Sequence, residues 1–168
     1  MPRGLKQTSS IVPIGFSVTE TAQDTFTQGS VDLNLSPLDN EVFVVLAINM
    51  DPCTPDAIAG QNTAVRAALT TTSQTSVVTL ADSNCLAIGQ SHIKAEGFTG
   101  VGFQTAGIET PPANLEYIGI IATNDFFVSV QGEGNNNARC VSGKLYGYRA
   151  RADSAVYAAL VQSEVLSA

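Results

Sequence analysis

The chain has 168 residues, 44% of them hydrophobic and only 14% charged, with a net charge of −7. This length suits one domain with a core of ordinary size. No stretch approaches the roughly 20 consecutive apolar residues of a membrane span, and long-range repulsion from an acidic body opposes nucleic-acid binding over most of the surface.

Charge is placed unevenly. Residues 7–138 hold two basic side chains, Arg66 and Lys94, against thirteen acidic ones. The other basic residues are Arg3 and Lys6 near the N-terminus and Arg139, Lys144, Arg149 and Arg151 in one late segment. Basic ends and an acidic body permit contacts between copies. Three widely spaced cysteines, Cys53, Cys85 and Cys140, form no CxxC motif and no zinc pattern. The default expectation is three thiols in a reducing cytoplasm, with one disulfide between any two left open.

In chain order, residues 1–10 are polar and basic and read as a flexible arm. Residues 11–18 are too interrupted by Pro13 and Gly15 for a signal peptide and read as an edge strand. Val31, Leu33 and Leu35 alternate with Asp32 and Asn34, so 25–35 predicts a half-buried strand. A turn at 36–40 leads into EVFVVLAINM, residues 41–50. From Val42 to Ile48 this stretch is apolar without a break and rich in β-branched residues, so it predicts a strand buried on both faces.

Residues 51–62 are loop, and 63–69 predict a strand because TTTSQTS at 70–76 is poor helix sequence. Segments 77–80 and 86–93 are expected to pair across 81–84. Four glycines make 96–107 a loop or broken strand, Pro111 and Pro112 stop the chain, and 115–123 is apolar again. Residues 126–131 and 141–151 are expected to form a hairpin across GEGNNN at 132–137. Residues 153–168 predict either a helix capped by Asp153 or Ser154 and striped by Val156, Leu160 and Val161, or a closing strand. About eight strands and no long helix indicate an antiparallel all-β sandwich. The expected divisions are an arm with an edge strand over 1–24, a sandwich over 25–152 and a tail over 153–168.

No catalytic motif emerges, and no enzyme, cofactor or metal site is expected. His92 is the only histidine and has no GxSxG serine to serve. Ser91–Lys94 spells SxxK without its partner motifs. Ser142, Gly143 and Lys144 resemble the end of a phosphate loop, but Ala138 replaces its first glycine and Leu145 its Ser or Thr. Asp51, Asp56, Asp82 and Asn84 offer oxygen ligands without EF-hand spacing and read as turn formers. The Asn34-Leu35-Ser36 sequon matters only in a secreted chain. Tyr146 and Tyr148 among the late arginines read as core or interface rather than as a nucleic-acid platform.

The basic N-terminus, the Thr/Gly/Asn-rich β-body with EVFVVLAI, the proline-rich DPCTPDAIAG and the late strands FFVSVQGEGNNN and CVSGKLYGYRAR together resemble virion shell proteins. The likeness is to single jelly-roll capsid proteins of icosahedral viruses and to β-rich decoration proteins of phage heads. It implies a jelly-roll-like sandwich with a flexible N-terminal arm, assembly with copies of itself and with other shell proteins, location in the virion, and assembly in the host cytoplasm. It also implies that Arg3 and Lys6 lie in an arm that contacts another subunit or the capsid interior, and contact of that arm with nucleic acid is left open. Arg3, Lys6, Arg139, Lys144, Arg149 and Arg151 are the expected subunit-contact residues. The alternative is a ligand-binding β-sandwich such as a carbohydrate-binding or adhesin domain, which the lack of Trp and the presence of only four Tyr disfavour.

Overall fold

The computed structural model describes residues 2–105, 107–109 and 114–167. Its strands are β1 (Leu5–Gln7), β2 (Val12–Thr19), β3 (Thr27–Asp32), β4 (Glu41–Pro52), β5 (Thr63–Thr70), β6 (Cys85–Glu96), β7 (Thr99–Thr105), β8 (Gly107–Glu109), β9 (Gly119–Ile121), β10 (Asp125–Glu133) and β11 (Cys140–Ala152), followed by helix α1 (Ser154–Ser167).

Two antiparallel sheets result. In the first, β1 and β2 follow one another along one edge of β11, β4 lies on its other edge, and β8 and β9 line the far side of β4. The second has the order β3-β10-β5-β6-β7. The pairs β2 with β11, β3 with β10, β4 with β9 and β5 with β6 nest inside one another. The chain therefore doubles back between β5 and β6, and the doubled ribbon rolls into two facing sheets. That winding is a jelly roll.

β4 is the axis of the fold, as its unbroken apolar run requires. Phe43 and Val45 point into the space between the sheets, with Phe16, Val65, Leu69, Phe126, Val128 and Leu145 among their neighbours in the main core. Val42 and Val44 point the other way, into a second cluster with Leu5, Tyr148 and Ala150. A β-bulge opposite Tyr146 and Gly147 leaves Leu46 without a partner, so the inward row passes from Val45 to Ile48 and Met50. Phe16 and Phe126 meet edge to face with ring centroids 6.2 Å apart.

Helix α1 covers the outer face of the first sheet. Val156, Tyr157, Leu160 and Val161 pack against the second cluster. Asp153 caps the helix, its Oδ1 accepting the Val156 N–H at 2.9 Å. Glu164 is buried and accepts the Ala122 and Thr123 N–H groups at 2.8 and 3.0 Å, which fastens the far end of the helix to the sheet. Burial holds the Tyr148 phenol above its ordinary pKa, and the nearby charge of Glu116 and the Tyr117 phenol add to the effect.

Several expectations change. β10 and β11 are not a hairpin: β10 pairs with β3 and β5, and β11 with β2 and β4, so residues 134–139 cross from one sheet to the other. Residues 77–80 are loop, and β6 takes β5 as its partner. The glycine-rich 96–107 stretch contains a regular strand, β7, on the open edge of β6. Within the expected arm, Leu5–Gln7 adds to β11 opposite 150–152, because Leu5 buries its side chain in the second cluster. The tail is a helix. Cys53 and Cys140 are disulfide-bonded, with Cα atoms 5.2 Å apart, and Cys85 stays outside the disulfide. Backbone pairing of Cys53 N–H with Cys140 C=O at 2.9 Å brings the two together. The stop at Pro111 and Pro112 lies outside the described residues.

Candidate subunit-contact surface

The six basic residues expected at subunit contacts divide into two groups. Arg139, Arg149 and Arg151 have partners within the chain. Arg139 Nη1 donates to Thr54 O at 3.0 Å and lies 3.3 Å from Asp56 Oδ1. The Arg149 guanidinium donates to Leu33 O at 2.6 Å and Asn34 O at 2.8 Å and pairs with Glu41 at 3.4 Å, so it ties the end of β3 to β4. Arg151 pairs with Asp39 at 3.2 Å, with both side chains more than half exposed. Arg3, Lys6 and Lys144 are exposed and make no ion pair with a described residue.

Around Arg139 lies a polar hub that the sequence did not announce. Glu20 is 4% exposed and accepts the Gly132 N–H at 2.6 Å and the Arg139 N–H at 2.7 Å. Asn135, also buried, donates to Ala64 O at 2.9 Å and accepts the Asp56 N–H at 2.8 Å. Asp24 accepts the Asn135 N–H at 3.1 Å. Asp56 Oδ2 accepts the Asn136 and Asn137 N–H groups at 2.9 and 3.0 Å. Burial acts to raise the pKa of Asp56, but these two N–H donors and the Arg139 charge outweigh it and hold the carboxyl below its ordinary value. This is why GEGNNN does not close a hairpin: carboxylates from other loops take the N–H groups that a facing strand would have used.

His92, Asp82 and the Ser142–Lys144 stretch have structural roles. His92 lies on β6 with its Nε2 2.9 Å from Gln90 Oε1. Asp82 accepts the Asn84 N–H at 2.8 Å in a local turn. Ser142, Gly143 and Lys144 lie inside β11, paired on both sides, so they form no loop that could cradle a phosphate.

The surface signal that sequence reading passed over is apolar. Phe98 is fully exposed at the tip of the β6–β7 hairpin, and Val101 and Phe103 on β7 are 52% and 53% exposed. Beside them an open groove of about 620 Å³ is lined by Asn62, Lys94, Glu96, Thr99, Val101 and Phe103. Leu38 is 97% exposed in the turn before β4. Apolar side chains exposed singly are ordinary, whereas several on one element form a patch.

The described strands form an eleven-stranded jelly-roll sandwich with a filled interior. No protein-family model and no curated protein matches the chain. A solved structure from desmodium yellow mottle tymovirus is similar to it over 88% of this chain and 92% of its own, at 11% identity and a TM-score of 0.29. Likeness at that level carries no functional argument.

Proposed function

We propose that the chain is a structural subunit of a virion shell, a capsid or decoration protein, which acts by associating with copies of itself and with other shell proteins and is not an enzyme. The observation that carries this reading is a jelly roll whose interior is filled by its own side chains, Phe16, Phe43, Leu69, Phe126 and Leu145 among them, while Phe98, Val101 and Phe103 stand exposed. A sandwich packed shut leaves its outer surfaces to do the work, and apolar groups on an acidic protein are best matched by another protein. Contact of Arg3 and Lys6 with nucleic acid, virion location and assembly in the host cytoplasm belong to the same reading.

Light scattering behind a sizing column, at low and high salt, tests it. A closed ring or larger assembly supports the proposal. A monomer at high concentration in both salts overturns it. The groove beside Phe103 favours a second reading, a ligand-binding module, since it sets an aromatic ring next to Asn62, Lys94 and Glu96. A glycan-array signal from a monodisperse monomer would select that reading instead.

A further inference from the structure

We propose that copies join head to tail, the β6–β7 hairpin of one docking on the corner of the next that carries Asp32 and Asp125. The inference rests on the assembly reading and names the surfaces that assembly uses.

The hairpin offers apolar area with a cation. Lys94 stands directly across from Val101 in the β6–β7 register, next to the His92–Phe103 pair. It is exposed and makes no ion pair with a described residue. Among the described residues, the other positively charged side chain between residues 7 and 138, Arg66, pairs with Glu133 at 3.4 Å.

The opposite corner offers the complement. Asp125 and Asp32 face one another in the β10–β3 register. Their strand neighbours Phe126 and Val31 turn toward the core, so the two carboxylates share the outer face. Like charges directly opposite are unfavourable, and no described cation bridges these two. Leu38, almost wholly exposed, sits in the turn that follows β3.

Position rules out contact between the two patches within one molecule. Asp125 lies beyond the Phe127–Thr70 pair, at the end of β5, where β6 begins with Cys85. The hairpin lies beyond the Thr63–Ile93 pair, at the start of β5. The twelve residues of β6 span the distance between them, on the order of 40 Å at about 3.3 Å per residue. A cation with apolar neighbours at one end and an acidic pair at the other can meet each other only between copies. A contact that joins two different patches is heterologous, and repeated around a rotation it closes a ring.

Charge reversal in both directions tests the pairing. Association of the wild type, Lys94→Asp, Asp125→Lys and the double variant is measured by sedimentation at low salt, with thermal melting of each as the control for folding. Each single reversal is expected to weaken association by about tenfold or more, and the double to recover most of the loss. Phe103→Ser, at an exposed position, is expected to weaken association at low and high salt alike. If the wild type assembles and the single reversals and Phe103→Ser assemble equally well, or if the double reversal recovers nothing, this pairing is wrong while the assembly reading stands. A wild type that stays monomeric at all concentrations overturns both.

Discussion

Gly147 lies against the ring of Phe43. A Cβ built on Gly147 would stand 2.9 Å from Phe43 Cζ, and closer still to Phe43 Cε1 and to Val44 O. Gly143 does the same for Phe16, whose Cζ would be 2.7 Å from its Cβ. The two glycines occupy inward positions on β11, in line with Val141 and Leu145, and the missing side chains are what let two phenylalanine rings lie over the strand. Gly147→Ala should therefore overpack a fixed site, where the nearest atoms include backbone that cannot swing away. The expected cost is about 1–3 kcal/mol, or a melting temperature lower by roughly 3–10 °C. Gly102→Ala is the control, because a Cβ there meets nothing within 4 Å. Equal melting temperatures for the two variants would show that β11 can shift to admit the methyl group.

The strands were legible where one pattern decided them. An apolar run in β4 had to be covered twice, and it is, by the opposite sheet and by α1. Alternation placed Val31, Leu33 and Leu35 on the core side of the segment that contains β3. Pairing was less legible, because hydrogen-bonded neighbours in a jelly roll are distant in sequence: β2 with β11, for example. Adjacent segments such as β10 and β11 look like a hairpin by the same alternation that fits them to separate sheets. The late arginines read as surface charge, since nothing local reveals that the carbonyls of Leu33 and Asn34 wait for Arg149 across the fold. For the same reason, reversing Arg149 would disturb the subunit itself, and a loss of assembly in that variant would not report on an interface. The exposed hairpin was missed because Phe98, Val101 and Phe103 interleaved with glycines carry no turn or core signature of their own.

The Cys53–Cys140 bond closes a chain segment with a sequence separation of 87 and holds the loop after β4 to the start of β11. Constraining so long a segment in the unfolded chain stabilises the fold by about 2–5 kcal/mol in the chain-entropy account. Unreduced, denatured protein should alkylate at one thiol, Cys85, and at three after reduction. The Cys53→Ser, Cys140→Ser double variant should unfold at a lower urea concentration than the wild type, and reducing agent should bring the wild type down to meet it. Three reactive thiols in protein purified and denatured without reductant, together with a midpoint insensitive to reductant, would show that the bond does not form.

Asp56 sets an acid limit on the polar hub. Its carboxyl is raised by burial but lowered by more through the N–H groups of Asn136 and Asn137 and the Arg139 guanidinium, so its folded pKa lies below the unfolded value of about 3.9. A depressed folded pKa means that the unfolded chain takes up the proton first. The stabilisation is then fully present above about pH 4 and is lost as pH falls through the folded pKa. Asp56→Asn keeps an oxygen acceptor for the two N–H groups but has no charge to lose. Wild type should be more resistant to urea than this variant at pH 7, and the gap should narrow as pH falls below about 4. The hub also contains Glu20 and Asp24, which remain in both proteins, so comparing the two at each pH isolates the Asp56 contribution. A gap of the same size at pH 7 and pH 3 would mean that the Asp56 side chain acts through shape alone and that its charge does not hold the 134–139 crossover in place.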